Sequence, residues 1–213
     1  MDLTALQQRF GASGAEVVQV GCSDATVVRL ERGRERLFYK RGSGVGKEAD
    51  RLAWLAGTGF PCPQVVDRAN DWLVTTELPG VDASQPWPER DRSAVLAAIA
   101  DGLRALDELT DCPFASPFPG TGDAVTHGDY AAPNVFIDPE NLRFTGVLDL
   151  SRLGRGDRYI DLALMYKSLR GNLNPQYGGP PAARRFVELY GADPDDPRIE
   201  HYITLDDTDD YLP

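Results

Sequence analysis

The apolar positions of this chain change their period once. In the first part they form short β-branched and aromatic runs bounded by Gly, Asn, Asp and Ser: residues 16–21, 26–31, 36–40, 64–68 and 72–77. Runs of that length and composition predict five strands. One stretch between them has a helical period. Residues 47–56 place Leu52, Leu55 and Ala56 on one face, and Gly57 and Gly59 end it. Gly42, Gly44 and Gly46 read as a flexible link before that helix, and residues 78–82 as a linker after the strands. Beyond residue 89 the helical period dominates. Val95, Ile99, Leu103, Leu106 and Leu109 recur every three or four positions, and residues 161–170, 182–190 and 197–205 predict further helices. A short hairpin is expected at 135–137 and 144–148, and 172–181 as loop. Residues 111–123, rich in Pro and Gly, also read as loop, which is long for a compact domain. The expectation is an α+β chain in two parts. Residues 1–78 form a five-stranded antiparallel sheet with one helix, and residues 79–213 are mostly helical around a hairpin.

Composition narrows what such a chain can do. At 213 residues with 42% hydrophobic positions it can bury a real core. No run is long and apolar enough for a membrane-spanning helix, and residues 1–10 lack the basic and apolar regions of a signal peptide. Cys22, Cys62 and Cys112 lie far apart with no CxxC spacing, which suits reduced thiols in a cytoplasmic protein. The net charge of −11 argues against a nucleic-acid partner. It would draw a cationic substrate, although solubility alone also explains it.

The candidate chemistry lies at Asp129, Asn134 and Asp149. A carboxylate, an amide five residues on and a second carboxylate after a hairpin suit phosphoryl transfer. That reaction needs one group to orient and deprotonate a hydroxyl and oxygen ligands for Mg2+ on the nucleotide phosphates. The D-x-x-x-x-N spacing matches the kinase catalytic loop, with His127-Gly128-Asp129 in place of His-Arg-Asp. The turn at 21–25 could offer N–H groups and the Ser23 hydroxyl to phosphates, although such turns are usually plain hairpins. Lys40 ends the third strand and Glu48 opens the following helix. On spacing alone, two solvated side chains are the simpler reading of that pair.

With these motifs in view, the chain resembles the aminoglycoside phosphotransferases, and among them the 3′-phosphotransferases, which share the protein-kinase fold. The likeness rests on residues 21–30, Phe38-Tyr39-Lys40, Glu48 with Trp54-Leu55, residues 126–137, residues 148–163 and residues 202–207. It implies a two-lobed fold with a nucleotide-binding lobe at 1–78 and a catalytic and substrate lobe at 79–213. It implies phosphorylation of an aminoglycoside hydroxyl, the 3′-hydroxyl first, using ATP or GTP and Mg2+, with antibiotic resistance as the outcome. Asp129 would be the base, and Asn134 and Asp149 would hold Mg2+. Ser23, Phe38, Lys40, Glu48, Thr76 and Leu78 would serve the nucleotide, with Phe38 against adenine and the 76–78 backbone at its edge. His127 would brace the catalytic loop. Arg152, Asp157, Asp206 and Asp207 would face a cationic aminoglycoside, and Asp161 would be a structural first-turn acid of its helix. A monomer or weak dimer without nucleic-acid or membrane partners is implied.

The sequence departs from the family at one place. The helical subdomain that members carry before the His-Gly-Asp motif is reduced here to residues 115–125, and the tail at 208–213 runs past the usual end. Two alternatives therefore stay open: a kinase for another small hydroxylated molecule, or a nucleotide-binding protein without transfer activity.

Overall fold

The computed structural model describes residues 1–18, 25–122 and 124–208. The chain divides into two compact units, Met1–Leu78 and Pro79–Pro213.

The first unit opens with a helix that the strand pattern did not predict, α1 (Leu3–Phe10). Asp2 caps it by accepting the N–H groups of Thr4 and Ala5 at 2.9 and 3.1 Å, and Gly11 ends it in the left-handed conformation. Strands β1 (Gly14–Val18), β2 (Thr26–Arg32) and β3 (Glu35–Arg41) follow. Then come α2 (Val45–Thr58), β4 (Val65–Arg68) and β5 (Trp72–Thr76). The five strands form one antiparallel sheet in the order β1-β2-β3-β5-β4. Alternation along β2 and β3 sends Val28, Leu30, Leu37 and Tyr39 to one face. Phe10 of α1 and Val74 of β5 close a core on these side chains. The sheet thus carries two helices where one was expected. Of the supposed flexible link, Gly46 already belongs to α2, Gly44 caps it, and the helix's first residue, Val45, is buried.

In the second unit, β6 (Val81–Asp82) is followed by α3 (Arg92–Asp107), β7 (Ala124–Thr126), β8 (Val135–Ile137) and β9 (Phe144–Val147). After these come β10 (Gly154–Gly156), α4 (Tyr159–Arg170), α5 (Pro180–Tyr190) and α6 (Arg198–Thr208). The expected hairpin is β8-β9, and β6 adds to it as a third strand. Part of the presumed linker is therefore paired structure. The Thr145 hydroxyl also donates to the Pro79 carbonyl at 2.6 Å. β7 and β10 form a two-stranded antiparallel ribbon. α4 packs against both α5 and α6, and most of its length is buried.

The described residues of the long Pro/Gly-rich stretch form no helix or strand of their own, yet they are tied down. Arg155 donates to the Phe114 carbonyl at 2.9 Å, and Ser116 donates to that of Arg155 at 3.0 Å, so the chain runs along β10 like a further strand. Phe118 is buried and meets the Tyr202 ring edge-on at 6.2 Å. This crossing leaves no room for a side chain at Gly154, where a Cβ would collide with the backbone of Ala115 and Ser116. Gly154→Ala should therefore cost about 1–3 kcal/mol through overpacking. Thermal unfolding would read this as a drop in Tm of several degrees, and an unchanged Tm would show the crossing to be loose.

Candidate active site

The site grows from β7. Its three residues are buried, and the chain leaves it into His127, Gly128 and Asp129. Two neighbouring N–H groups, those of His127 and Gly128, both donate to the Asp161 carboxylate, at 2.6 and 2.9 Å. Asp161 is fully buried in the first turn of α4. Burial pushes its carboxyl up and the nearby Asp107 adds to this, while the two N–H donors favour the ionised form and pull it back. The role of this acid is larger than that of a helix-end charge: it clamps the start of the catalytic loop.

Gly128 explains why the motif has no arginine here. Its φ is +78°, and a Cβ would stand 2.6 Å from the Arg152 Cβ and 2.7 Å from the Arg152 carbonyl oxygen. Only glycine meets both demands at once.

His127 is also fully buried. Asp129 N–H donates to its Nδ1 at 3.2 Å, so Nδ1 is the acceptor and Nε2 carries the proton donated to the Leu148 carbonyl at 2.8 Å. Burial lowers its pKa to about 4, which keeps the ring neutral. It is thus a fixed strut between the loop and the strand that leads to Asp149.

Asp129 is held from the other side by Asn134, whose Nδ2 donates to the Asp129 carbonyl at 2.9 Å and to its Oδ2 at 3.1 Å. Burial raises the Asp129 carboxyl to about 6. Arg152 opposes the rise, while Asp149 and Asp206 add to it. Leu148 N–H donates to the Asn134 carbonyl at 2.9 Å, which sets Asp149 beside Asn134. Asp149 itself has φ +59°, a strained conformation of the kind that persists where the surroundings over-determine it.

These residues fit Mg2+. With Nδ2 of Asn134 given to Asp129, the amide turns its oxygen away from that carboxylate, and Asp149 adds a hard carboxylate. Among the described residues no cluster of three or more His, Cys, Asp or Glu could form an all-protein cage. One amide and one carboxylate suit an ion that keeps waters and shares substrate phosphates.

The remaining expected residues fall into separate groups. Arg152 and Asp206 meet at 3.3 Å, and Lys167 joins Asp206 and Asp207, both at 2.7 Å. Asp157 is elsewhere: it caps the start of α4 through Tyr159 N–H and pairs with Arg198 at 3.3 Å. In the first unit, Lys40 and Glu48 form an ion pair at 2.8 Å, with side chains 19% and 6% exposed, so the solvated reading is overturned. Phe38 lies in β3 opposite Thr75. The N–H groups of Thr76 and Glu77 are already bonded to Gln64 and Arg36 carbonyls, and Leu78 is buried. Ser23, with the rest of the 21–24 turn, and Asp209 onward lie outside the described residues.

Reading the sequence missed Lys167, and it missed the reach of Asp161. The signal for Asp161 was a charged residue on an otherwise apolar helix stripe. Nothing local marks Lys167, which gains its role only from α6.

Comparison with known proteins agrees with this geometry. The model of the phosphotransferase enzyme family matches residues 14–125 and 121–202. An aminoglycoside 3′-phosphotransferase from Streptomyces fradiae is 34% identical, covering 97% of this chain and 99% of the relative. A streptomycin 3″-kinase from Streptomyces griseus is 30% identical over 92% of this chain and 89% of its own. Among solved structures, an aminoglycoside 3′-phosphotransferase of type VIII superimposes with a TM-score of 0.81 at 34% identity, covering 96% of both chains. An aminoglycoside phosphotransferase from Streptomyces rimosus, solved with ADP and streptomycin, reaches 0.74 at 27% identity, covering 97% of this chain and 98% of that one. The expected kinase-like α+β fold is the one shared with these structures. The match to the Streptomyces fradiae enzyme runs over 267 aligned positions, although this chain has 213 residues. The family model itself breaks at 121–125, within the stretch where the shortening was expected.

Asp161→Asn keeps the size of the side chain but replaces one acceptor with a donor facing an N–H. Turnover should fall about a hundredfold, the scale of an ångström-level misplacement of catalytic groups. Circular dichroism should still show a folded protein. Full turnover in a folded variant would show that the clamp is not needed.

Proposed function

The chain belongs to the phosphotransferase enzyme family, and on that premise we propose that it phosphorylates an aminoglycoside antibiotic, at the 3′-hydroxyl, using ATP or GTP and Mg2+. The observation that carries this reading is the loop itself. Asp129 is fixed between the Asp161 clamp and the Asn134 amide, with its carboxyl raised to about 6. A buried carboxylate of that basicity is ionised at neutral pH and takes up a proton readily.

In the proposed reaction Asp129 accepts a hydrogen bond from the substrate hydroxyl and aligns its oxygen with the γ-phosphorus. As the new P–O bond forms and the bond to the leaving ADP or GDP oxygen breaks, the hydroxyl proton passes to Asp129. Mg2+, held by Asn134 and Asp149, would offset negative charge on the phosphates. In the first unit Lys40, steadied by Glu48, brings a fixed positive charge to the α- and β-phosphates. Phe38 offers a flat surface to the base, and backbone near Leu78 serves its edge, since the N–H groups of Thr76 and Glu77 are already used. Ser23 would complete the phosphate contacts. Asp157, Asp206 and Asp207 supply carboxylates from which the ammonium groups of an aminoglycoside would gain charge-assisted hydrogen bonds, and Arg152 would face the substrate as the partner that orients Asp206. Transfer to the drug inside a cytoplasmic compartment would give the cell resistance.

A second reading keeps the chemistry and changes the acceptor to a less cationic hydroxylated molecule. It is favoured by the break at 121–125, and by Lys167 and Arg152, which already neutralise Asp206 and Asp207. Turnover on a panel of aminoglycosides and neutral hydroxylated antibiotics separates the two: transfer confined to the neutral compounds sinks the first reading.

Asp129→Ala should lower transfer by roughly 10²–10⁴-fold, the usual contribution of a positioned acid or base, while ADP binding persists. In the wild-type enzyme kcat/KM should fall with pH below about 6, as Asp129 becomes protonated. A profile flat down to pH 4.5 would remove Asp129 from the role of base.

A further inference from the structure

The catalytic loop has a second anchor, at its far end. Ala132 N–H donates to the Ser168 hydroxyl oxygen at 3.1 Å. Ser168 lies on α4 seven residues after Asp161, about 10 Å along the helix on nearly the same face. One helix therefore grips the loop at both ends, through a carboxylate at 127–128 and a hydroxyl at 132. Ser168 is 5% exposed, a polar side chain on a buried stripe with Leu164, Met165 and Leu169 around it.

Asn174 fixes what that hydroxyl can do. Its Nδ2 donates to the Ser168 carbonyl at 2.9 Å and to the Ser168 Oγ at 3.0 Å. A carbonyl oxygen only accepts, so the amide has one possible orientation; flipped, it would face oxygen to oxygen. The Ser168 Oγ thus receives two N–H donors, one from Asn174 and one from the loop, and its rotation is locked. The arrangement has a cost. Asn174 is 2% exposed, and its Oδ1 accepts no hydrogen bond from the described residues. A buried, unpaired amide oxygen is unfavourable by about 1–3 kcal/mol. The geometry fills both acceptor positions of the Ser168 oxygen and leaves Asn174 short.

Ala132 begins the tight turn Ala132–Asn134, closed by Asn134 N–H on the Ala131 carbonyl at 2.9 Å. A shift at Ala132 therefore moves Asn134, whose amide nitrogen holds Asp129 and whose oxygen would serve Mg2+. We propose that Ser168 and Asn174 are positioning residues for Asn134, Asn174 acting through the Ser168 hydroxyl. The phosphoryl-transfer part of this inference rests on the function proposed above; the anchoring part does not.

The test uses the full chain with Ser168→Ala, Asn174→Ala, the double variant and Ser168→Thr, which keeps the hydroxyl. Hydrogen exchange of the 129–134 amides should speed up in the alanine variants, while that of the 26–41 amides is unchanged. Either single variant should lower kcat by about ten- to a hundredfold with KM for the aminoglycoside within about twofold, since misplaced groups lose rate before they lose binding. The double variant should be no worse than the poorer single one, because the two residues act in series. Ser168→Thr should retain most of the rate. If Ser168→Ala does not fold, Asn174→Ala carries the same comparisons.

A lowered Tm with unchanged kcat and unchanged loop exchange would reduce the pair to plain stability and overturn the proposal. Rate losses that multiply in the double variant would overturn the serial arrangement. A wild-type chain that transfers phosphate to no acceptor would refute the proposed function instead, and the exchange comparison alone would then decide the anchoring.

Discussion

Two N–H groups on one buried carboxylate govern this site. Asp161 sits where no solvent reaches it, and it is held there by the amides of His127 and Gly128. Removing those donors would leave a carboxyl alone in a low-dielectric interior, which is far more costly than never burying it. The loop and helix α4 therefore come as a pair. Other features follow from this clamp. Gly128 must be glycine because the clamp brings it against Arg152. His127 must stay neutral because it is enclosed with the loop, and its tautomer is set by Asp129 N–H and the Leu148 carbonyl. Asp129 emerges into a setting already negative from Asp149 and Asp206, which adds to the effect of burial on its basicity.

The two sides of the second unit differ in how their charges are used. Around Asp129 and Asn134, hydrogen bonds within the loop hold the two side chains in place. Around α6, cations already meet the acids: Arg152 and Lys167 reach Asp206 from outside the helix, Lys167 also reaches Asp207, and the helix's own Arg198 pairs with Asp157. These pairs are partly exposed, so each contributes little to stability. A polycationic ligand can compete for such carboxylates at modest cost. At the break in the family match, 121–125, a Cβ on Gly122 would collide with the Gly156 carbonyl at the end of β10.

Features that a few neighbouring residues define were visible in the sequence. The strands β2, β3 and β5 and the helix α3 announce themselves by period. Asp129, Asn134 and Asp149 stand out by spacing along a loop and hairpin. The rest depends on partners distant in the chain. β7 and β10 have three residues each and exist only because they pair with one another, Thr126 opposite Gly154. β6 looks like linker until β8 is beside it. α1 had a cap at Asp2 and a stop at Gly11, but its two turns carry a weak apolar pattern. Asp161 and Ser168 were visible only as polar residues on an apolar stripe, and their bonds span 34 and 36 positions. Lys40 and Glu48 are eight apart, yet burial, which spacing does not show, makes them a pair.

The central claim is that this loop transfers a phosphoryl group to one defined hydroxyl. The most direct measurement is phosphorus NMR of the product formed from ATP, Mg2+ and kanamycin, set beside a 3′-deoxy analogue of the same drug. The account predicts a single phosphate ester at the 3′-oxygen of kanamycin and no ester on the analogue. Equal phosphorylation of both compounds, or of neither, would contradict it.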